Sequence, residues 1–190
     1  MQINDIISNV AVYGFEESIK ASKYPMAVDT SKCTTKVTDT TVRLSNCGMG
    51  EGHDNFLNGI VVQFDVSFTK QAWSEAERYH FLDFVSSQST MHRITKFDLD
   101  NSYIEYTDEF MIKRMKELVE EYNSNPTPEN YLKVIYSNPC GFKLTARMTT
   151  NYRQLKTIYH QRKNHRLPEW KAFCKWIETL PYFNELVLVK

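Results

Sequence analysis

Thr149-Thr150-Asn151-Tyr152-Arg153, continuing through Arg162 to His165, is the stretch that decides how this chain reads. It reads as a helix whose inward stripe is apolar in the middle and polar at both ends. Asn151, Leu155, Ile158 and Arg162 fall on one face at helical spacing. Steps of about 100° and about 1.5 Å per residue bring Arg162 nearly back under Asn151, roughly 16 Å along the axis. A helix that only packed a core would place Leu or Ile at both ends. An amide and a guanidinium there suit a planar, anionic ligand lying along the helix.

Outward from this stretch the pattern is α+β and helix-rich. Pro139-Cys140-Gly141 interrupts the chain before it; after it, a last helix begins near Pro168-Glu169, buries Trp170, Phe173, Cys174 and Ile177, and stops at Leu180-Pro181. Ile60, Val62, Phe64, Val66 and Phe68 alternate with Val61, Gln63, Asp65 and Ser67, the clearest strand in the chain. A helix is expected from Lys70 to about Ser86, with Trp73, Ala76, His80, Phe81, Phe84 and Val85 inward. Met111, Met115, Leu118, Val119 and Tyr122 form a core-facing helical stripe, and Thr107, Asp108 and Glu109 supply its N-cap and first-turn acids. Thr127-Pro128-Glu129 opens a further short helix with Pro at its first position.

Near the N-terminus, Asn9 to Tyr13 reads as a short strand ended by Gly14, and Glu16 to Tyr24 as a helix up to Pro25. Asp29 to Thr41 reads as a loop or weak edge hairpin, followed by a polar turn at Asn46 to Gly52. There is no internal repeat and no low-complexity linker. The expectation is one domain over 1–190 with a small mixed or antiparallel sheet.

Composition narrows the function. The chain has 190 residues, 42% of them hydrophobic and 13% aromatic, enough for a core. Its formal net charge is zero, which argues against a dedicated nucleic-acid binder but permits a local basic pocket. No apolar run approaches the ~20 residues that span a bilayer, and no secretory signal is evident. Cys33, Cys47, Cys140 and Cys174 are dispersed and form no CxxC pair. A reduced, cytoplasmic protein with no metal site is the expectation.

Three polar clusters stand out: Gly52-His53-Asp54-Asn55-Phe56-Leu57-Asn58, Gln88-Ser89-Thr90-Met91-His92-Arg93, and the helix carrying Asn151, Arg153, Arg162 and His165. Each has a plain reading. His53 caps a short helix; His92-Arg93 is a surface pair favoured at a helix C-terminus; Arg162 to Arg166 is a solvated basic face. Serine triads, P-loops and GxGxxG fingerprints are absent.

Taken in order, the clusters resemble the flavin-dependent thymidylate synthases. Val12-Tyr13-Gly14, followed by a helix with Ser18, Ala21 and Ser22, is similar to that family's opening strand and helix. Gly52 to Asn58 is similar to its "GHxSxxEH" segment, and the strand Ile60 to Phe68 follows as it does there. Gln88 to Arg93 resembles the "QxxRHR" flavin motif, with Met91 at the first Arg. Pro139 stands at the "LP" turn, Thr150 to Leu155 resembles "TNxRSL", and Arg162, His165 and Trp170 resemble "LRxxxHAQWE" with spacing that differs by a residue.

The resemblance implies a homotetramer that binds FAD between subunits, takes hydride from NADPH, and moves a one-carbon unit from methylenetetrahydrofolate to dUMP. Position by position it implies flavin contacts from His53, His92, Arg93, Asn151 and His165. It implies nucleotide contacts from Gln88, Ser102 and Arg153, the last also open to a structural or site-orienting role, and a nucleotide-activating role for Arg162. The family's Glu-x-Ser-x-Arg segment is missing: Ile94 to Tyr103 stands there, with Asp98 and Asp100 placed to repel a phosphate. A second family arginine falls on Ile135, and Arg147 is close in sequence but not at that position. Two lost arginines weaken dUMP binding by several kcal/mol, at ~1.5–3 kcal/mol for each charge-assisted hydrogen bond. The alternatives are a catalytically degenerate nucleotide- or flavin-binding member of the fold, and a helix-rich interaction protein.

Overall fold

The computed structural model describes residues 1–48 and 50–188. Met49, within the turn expected over Asn46 to Gly52, lies outside the described residues, as do Val189 and Lys190. The elements are β1 (Ile7–Tyr13), α1 (Phe15–Ala21), α2 (Asp39–Ser45), β2 (Val61–Thr69), α3 (Lys70–Ala76) and β3 (Asp83–Ser87). They continue with α4 (Thr90–Arg93), α5 (Glu109–Ser124), α6 (Pro128–Ser137), β4 (Lys143–Asn151), α7 (Tyr152–Arg162) and α8 (Pro168–Ile177). The fold is α+β and helix-rich, with a small antiparallel sheet of order β1-β2-β4-β3. The chain divides into two compact units, Met1–Val66 with Tyr79–Val85 and Arg147–Lys190, and Ser67–Arg78 with Ser86–Ala146.

In the first unit, β1 pairs antiparallel with β2, Ile7 opposite Val66 and Tyr13 opposite Val61. The register slips between Ser8 and Ala11, where Asn9 takes a φ of 51°. Gly14 turns β1 into α1 at a φ of 68°, and an added Cβ would meet the Gly59 carbonyl oxygen at 2.5 Å. The alternation read along β2 holds, with Ile60, Val62, Phe64 and Val66 all buried. Phe64 packs on Phe173 and Trp176 of α8 at ring distances of 5.7 and 4.5 Å. Trp170, Phe173, Cys174 and Ile177 are buried as expected; burial pushes the Cys174 thiol up to about 12, with Glu178 adding to the rise.

The second unit has its own core. Ile94, Leu99, Tyr103, Met115, Leu118, Val134 and Phe142 are buried together, with Ile112, Val119, Tyr122 and Ile135 partly buried against them. Met115, Leu118, Val119 and Tyr122 of the stripe read on α5 therefore face this core, whereas Met111 at its start is exposed, and α6 starts as read, with Thr127 Oγ1 accepting from the Asn130 amide. Tyr103 donates to Asn138 Oδ1 at 2.9 Å, and burial pushes its phenol up to about 12.

Three expectations are corrected. Thr149, Thr150 and Asn151 are not helical: they end β4, a strand absent from the sequence reading, and α7 begins only at Tyr152. Sheet pairing overrides the local pattern there. The helix expected from Lys70 to Ser86 stops at Ala76; Phe81 takes a φ of 62°, and Asp83–Ser87 becomes the exposed edge strand. Phe81, Phe84 and Val85 are consequently exposed rather than inward. The end of the segment read as a loop or hairpin, Asp29 to Thr41, instead starts α2, where Thr38 and Thr41 cap each other's amides at 3.3 Å.

At the start of α5 it is Asp108, not Thr107, that accepts from the Phe110 amide, at 2.8 Å. Thr107 Oγ1 is buried with no hydrogen-bond partner. D108A is expected to cost about 1 kcal/mol in urea unfolding, and T107V close to nothing. The reverse order would overturn this assignment of the cap.

Candidate functional site

Helix α7 is the basic element of the first unit. Its N-cap is Asn151, whose Oδ1 accepts from the Gln154 amide at 2.9 Å. The carbonyl end of this amide is therefore used by the helix, and only the Nδ2 end is left to face a ligand. Tyr152, Leu155 and Ile158 are buried, and the Tyr152 hydroxyl donates to the Pro181 carbonyl at 2.8 Å. Arg153 and Lys156 both turn to Asp54: Arg153 Nε lies 3.2 Å from Oδ1 and Lys156 Nζ 3.0 Å from Oδ2. Lys156 also donates to the Ser45 carbonyl at 2.7 Å. Arg153 is thus first a structural residue.

Arg162 sits at the other end of α7. Its Nε donates to the Tyr79 hydroxyl at 2.7 Å, and its guanidinium carbon lies 4.8 Å from the Trp170 ring centroid and 5.4 Å from that of Tyr79. Tyr79 in turn donates to Gln161 Oε1 at 2.9 Å. The two aromatic rings and the bond to Tyr79 help hold the guanidinium plane in a fixed direction, the arrangement that distinguishes Arg from Lys. His165 lies just beyond, its Nδ1 accepting from the Leu167 amide at 3.2 Å. That bond places the proton of the neutral ring on Nε2.

His53 is exposed and makes no cap bond; Gly52, at a φ of 74°, occupies the N-cap position of the 3-10 turn His53–Gly59. The imidazole lines a cavity of about 1080 Å³. Leu44 and Phe56 give this cavity apolar wall, while Arg43, His53, Thr38 and Asn55 give it polar and cationic groups. It is large enough for a nucleoside-sized group.

In the second unit, Gln88 and Arg93 share a cleft of about 400 Å³ with Ser89, Lys96, Phe97 and Asp98. Gln88 is anchored to β4: its amide donates to the Thr145 carbonyl at 3.0 Å and its Oε1 accepts from the Thr145 amide at 2.9 Å. Two cations, a hydroxyl and the Gln88 amide nitrogen form a donor set that fits a phosphate or pyrophosphate. His92 is exposed at the end of α4 and does not line this cleft. Ser102 is spent on the backbone, its hydroxyl donating to the Asp98 carbonyl at 2.6 Å.

The acidic segment is folded on itself. Asp98 accepts from the Asp100 amide at 3.1 Å and from Asn101 Nδ2 at 2.7 Å, and these bonds hold its carboxyl below the ordinary range. Asp100 pairs with Lys116. Arg147 is also committed, to Asp65 at 3.2 Å and to the Asn9 carbonyl at 2.6 Å, and Ile135 packs on the core.

Gln88, His92, Arg93 and Ser102 thus belong to the second unit, and His53, Asn151, Arg153, Arg162 and His165 to the first. Sequence reasoning missed Asp54, Tyr79, Lys156 and Lys96. Lys156 had a signal, lying three residues after Arg153 on the same helix. Tyr79 had none, because the segment holding it read as mid-helix. Among the described residues no group of three or more His, Cys, Asp or Glu is placed to hold a metal ion, and no helix is long and apolar enough to cross a membrane.

No protein-family model matches the chain, and no curated protein matches it. Solved structures do. A crystal structure of the flavin-dependent thymidylate synthase ThyX from Helicobacter pylori, complexed with FAD and dUMP, aligns with a TM-score of 0.74 at 12% identity, over 95% of this chain and 97% of that one. A second Helicobacter pylori ThyX structure with FAD and dUMP aligns at 0.70 and 14% identity, over 94% and 96%. The chain therefore has the fold of the flavin-dependent thymidylate synthases over nearly its whole length.

D54A strands two cations beside the first turn of α7 and is expected to lower unfolding stability by about 3 kcal/mol, while R153A, on the more exposed partner, costs about 1 kcal/mol or less. Urea midpoints measure both. A larger loss for R153A would place the anchoring of α7 elsewhere.

Proposed function

We propose that this protein is a divergent flavin-dependent thymidylate synthase-like enzyme. It carries out reductive methylation of dUMP or a related pyrimidine nucleotide, with FAD as cofactor and NADPH and methylenetetrahydrofolate as co-substrates, as a cytoplasmic homotetramer. The observation that carries this reading is the guanidinium of Arg162, fixed between Tyr79 and Trp170 in a fold shared with FAD- and dUMP-bound enzymes. A flavin bound to the protein supplies hydride-transfer chemistry. The side chains supply binding and electrostatics. Arg162 is oriented to stabilise negative charge that develops on a pyrimidine carbonyl during attack on the one-carbon donor, and it needs no reorganisation to do so.

Arg93, Lys96 and Ser89 take a phosphate or pyrophosphate, with Gln88 donating from a position fixed by β4. His92 and His165 add imidazole partners, and Asn151 donates through Nδ2, since its Oδ1 caps α7. His53 closes one side of a cavity that admits a nucleoside or ring system. Arg153 orients the site through Asp54 and touches no ligand itself.

One observation favours a second reading, a catalytically degenerate nucleotide- or flavin-binding member of the fold. Met91 stands half-exposed where the flavin motif has an arginine, and the Ser102 hydroxyl is turned to the backbone.

The absorbance of the purified protein in the flavin bands, before and after adding FAD, separates the readings, followed by dUMP-dependent oxidation of the reduced flavin. Turnover is expected, and R93A is expected to weaken FAD binding by about tenfold or more, the loss of one charge-assisted bond. Ligand-induced thermal stabilisation without turnover selects the second reading. A colourless protein that takes up no FAD sinks both flavin readings.

A further inference from the structure

A second cationic niche lies on a different stripe of α7. Lys156, His160 and Lys163 follow at spacings of four and three residues, so their side chains share one face. They line a cavity of about 320 Å³ with Tyr159, Asn46, Cys47, and Val187 and Leu188 of the π-helical turn Asn184–Leu188. Among the described residues no Asp or Glu lines it. Two acids packed near α7 are engaged, Asp54 by Arg153 and Lys156, and Glu178 by the Tyr159 hydroxyl at 2.7 Å; Glu185 belongs to the π-helical turn but does not line the niche. Asn46 is also spent, its Nδ2 donating to the Val42 and Glu185 carbonyls.

Like charges four residues apart on a helix repel. A purely structural basic stripe is normally relieved by acids; α7 has none of its own between Tyr152 and Arg162, and Asp54, shared by Arg153 and Lys156, relieves only the Lys156 end of this stripe. The repulsion shows on His160. Burial, then Lys163, then Lys156 hold its imidazole below the ordinary value of 6.5.

We propose that Lys156, His160 and Lys163 form a binding site for a phosphate group, free or as the terminal group of a small monoester, in the niche between α7 and the C-terminal π-helical turn. Lys163 supplies an ammonium and His160 an imidazole donor to one oxyanion, Lys156 adds the one N–H it does not give to Asp54 and Ser45, and Val187 and Leu188 offer an apolar wall to an ester's organic part. The inference does not depend on the flavin reading. The sign of its pH dependence follows from His160. Without an anion, its folded value lies below its unfolded one, so protonation opposes folding as pH falls through about 6.5. A bound phosphate favours the imidazolium, so affinity rises as pH falls through the same range.

The test is an NMR titration of the histidine side chains of the full chain, with His160 assigned by H160Q, against inorganic phosphate, phenyl phosphate and chloride at matched ionic strength. Either phosphate is expected to raise the His160 titration midpoint, with chloride leaving it in place. K163Q, an exposed substitution that does not threaten folding, is expected to weaken the effect about tenfold. A response to both phosphates supports a free-ion site, and a response to phenyl phosphate alone supports an ester site. No response to either, a shift matched by chloride, or an undiminished shift in K163Q overturns the proposal.

Discussion

The carboxylate of Asp54 is the contact on which the arrangement of the first unit depends. It is almost wholly buried, and two cations from the first turn and a half of α7 converge on it. A helix N-terminus carries partial positive charge and ordinarily gathers acids; α7 places Arg153 and Lys156 there instead. Left alone, those cations would work against the helix. Asp54, supplied by the 3-10 turn after Gly52, brings the missing negative charge from a distant part of the sequence. A buried ion pair is weak evidence of net stability but a strong constraint on registry, since every other placement of α7 leaves a buried charge unpaired.

From that fixed start the rest of α7 follows. Tyr152, Leu155 and Ile158 seal the inner stripe, and the Tyr152 hydroxyl ties the first turn to Pro181. The polar residues at the two ends then have little freedom. Asn151 becomes the cap, and Arg162 arrives between Tyr79 and Trp170. A zero net charge therefore hides a marked segregation. A helix with no acid of its own carries its basic groups in three settings: Arg153 and Lys156 paired with Asp54, Arg162 stacked on rings, and His160 and Lys163 lining a niche that Lys156 also borders.

The strand β2 and the stripe of α5 were plain in the sequence because burial alone dictates them: period two in one case, helical spacing in the other. The polar ends of α7 were legible as unusual, but their roles were not. Asn151 serves as a cap because β4 runs into α7 without a loop, and nothing in Thr149-Thr150-Asn151 distinguishes a strand end from a helix start. The segment Tyr79 to Ser87 misled for the opposite reason. Its aromatic residues fall at helical spacing, but the backbone pairs at the sheet edge and leaves Phe84 and Val85 exposed. With that error went Tyr79, and with Tyr79 the setting of Arg162.

The acidic loop shows why identity can fall to 12–14% while the fold persists. Where the thymidylate synthase pattern has Glu-x-Ser-x-Arg, this chain has a turn that meets its own needs. Asp98 binds the Asp100 amide and Asn101, Ser102 closes on the Asp98 carbonyl, and Asp100 is neutralised by Lys116 of α5. Such a turn needs no ligand to hold its shape. One of its carboxylates, Asp100, is paired with Lys116, and the other, Asp98, is turned to donors within its own turn. Arg93 and Lys96 can therefore keep a net positive cleft beside Asp98.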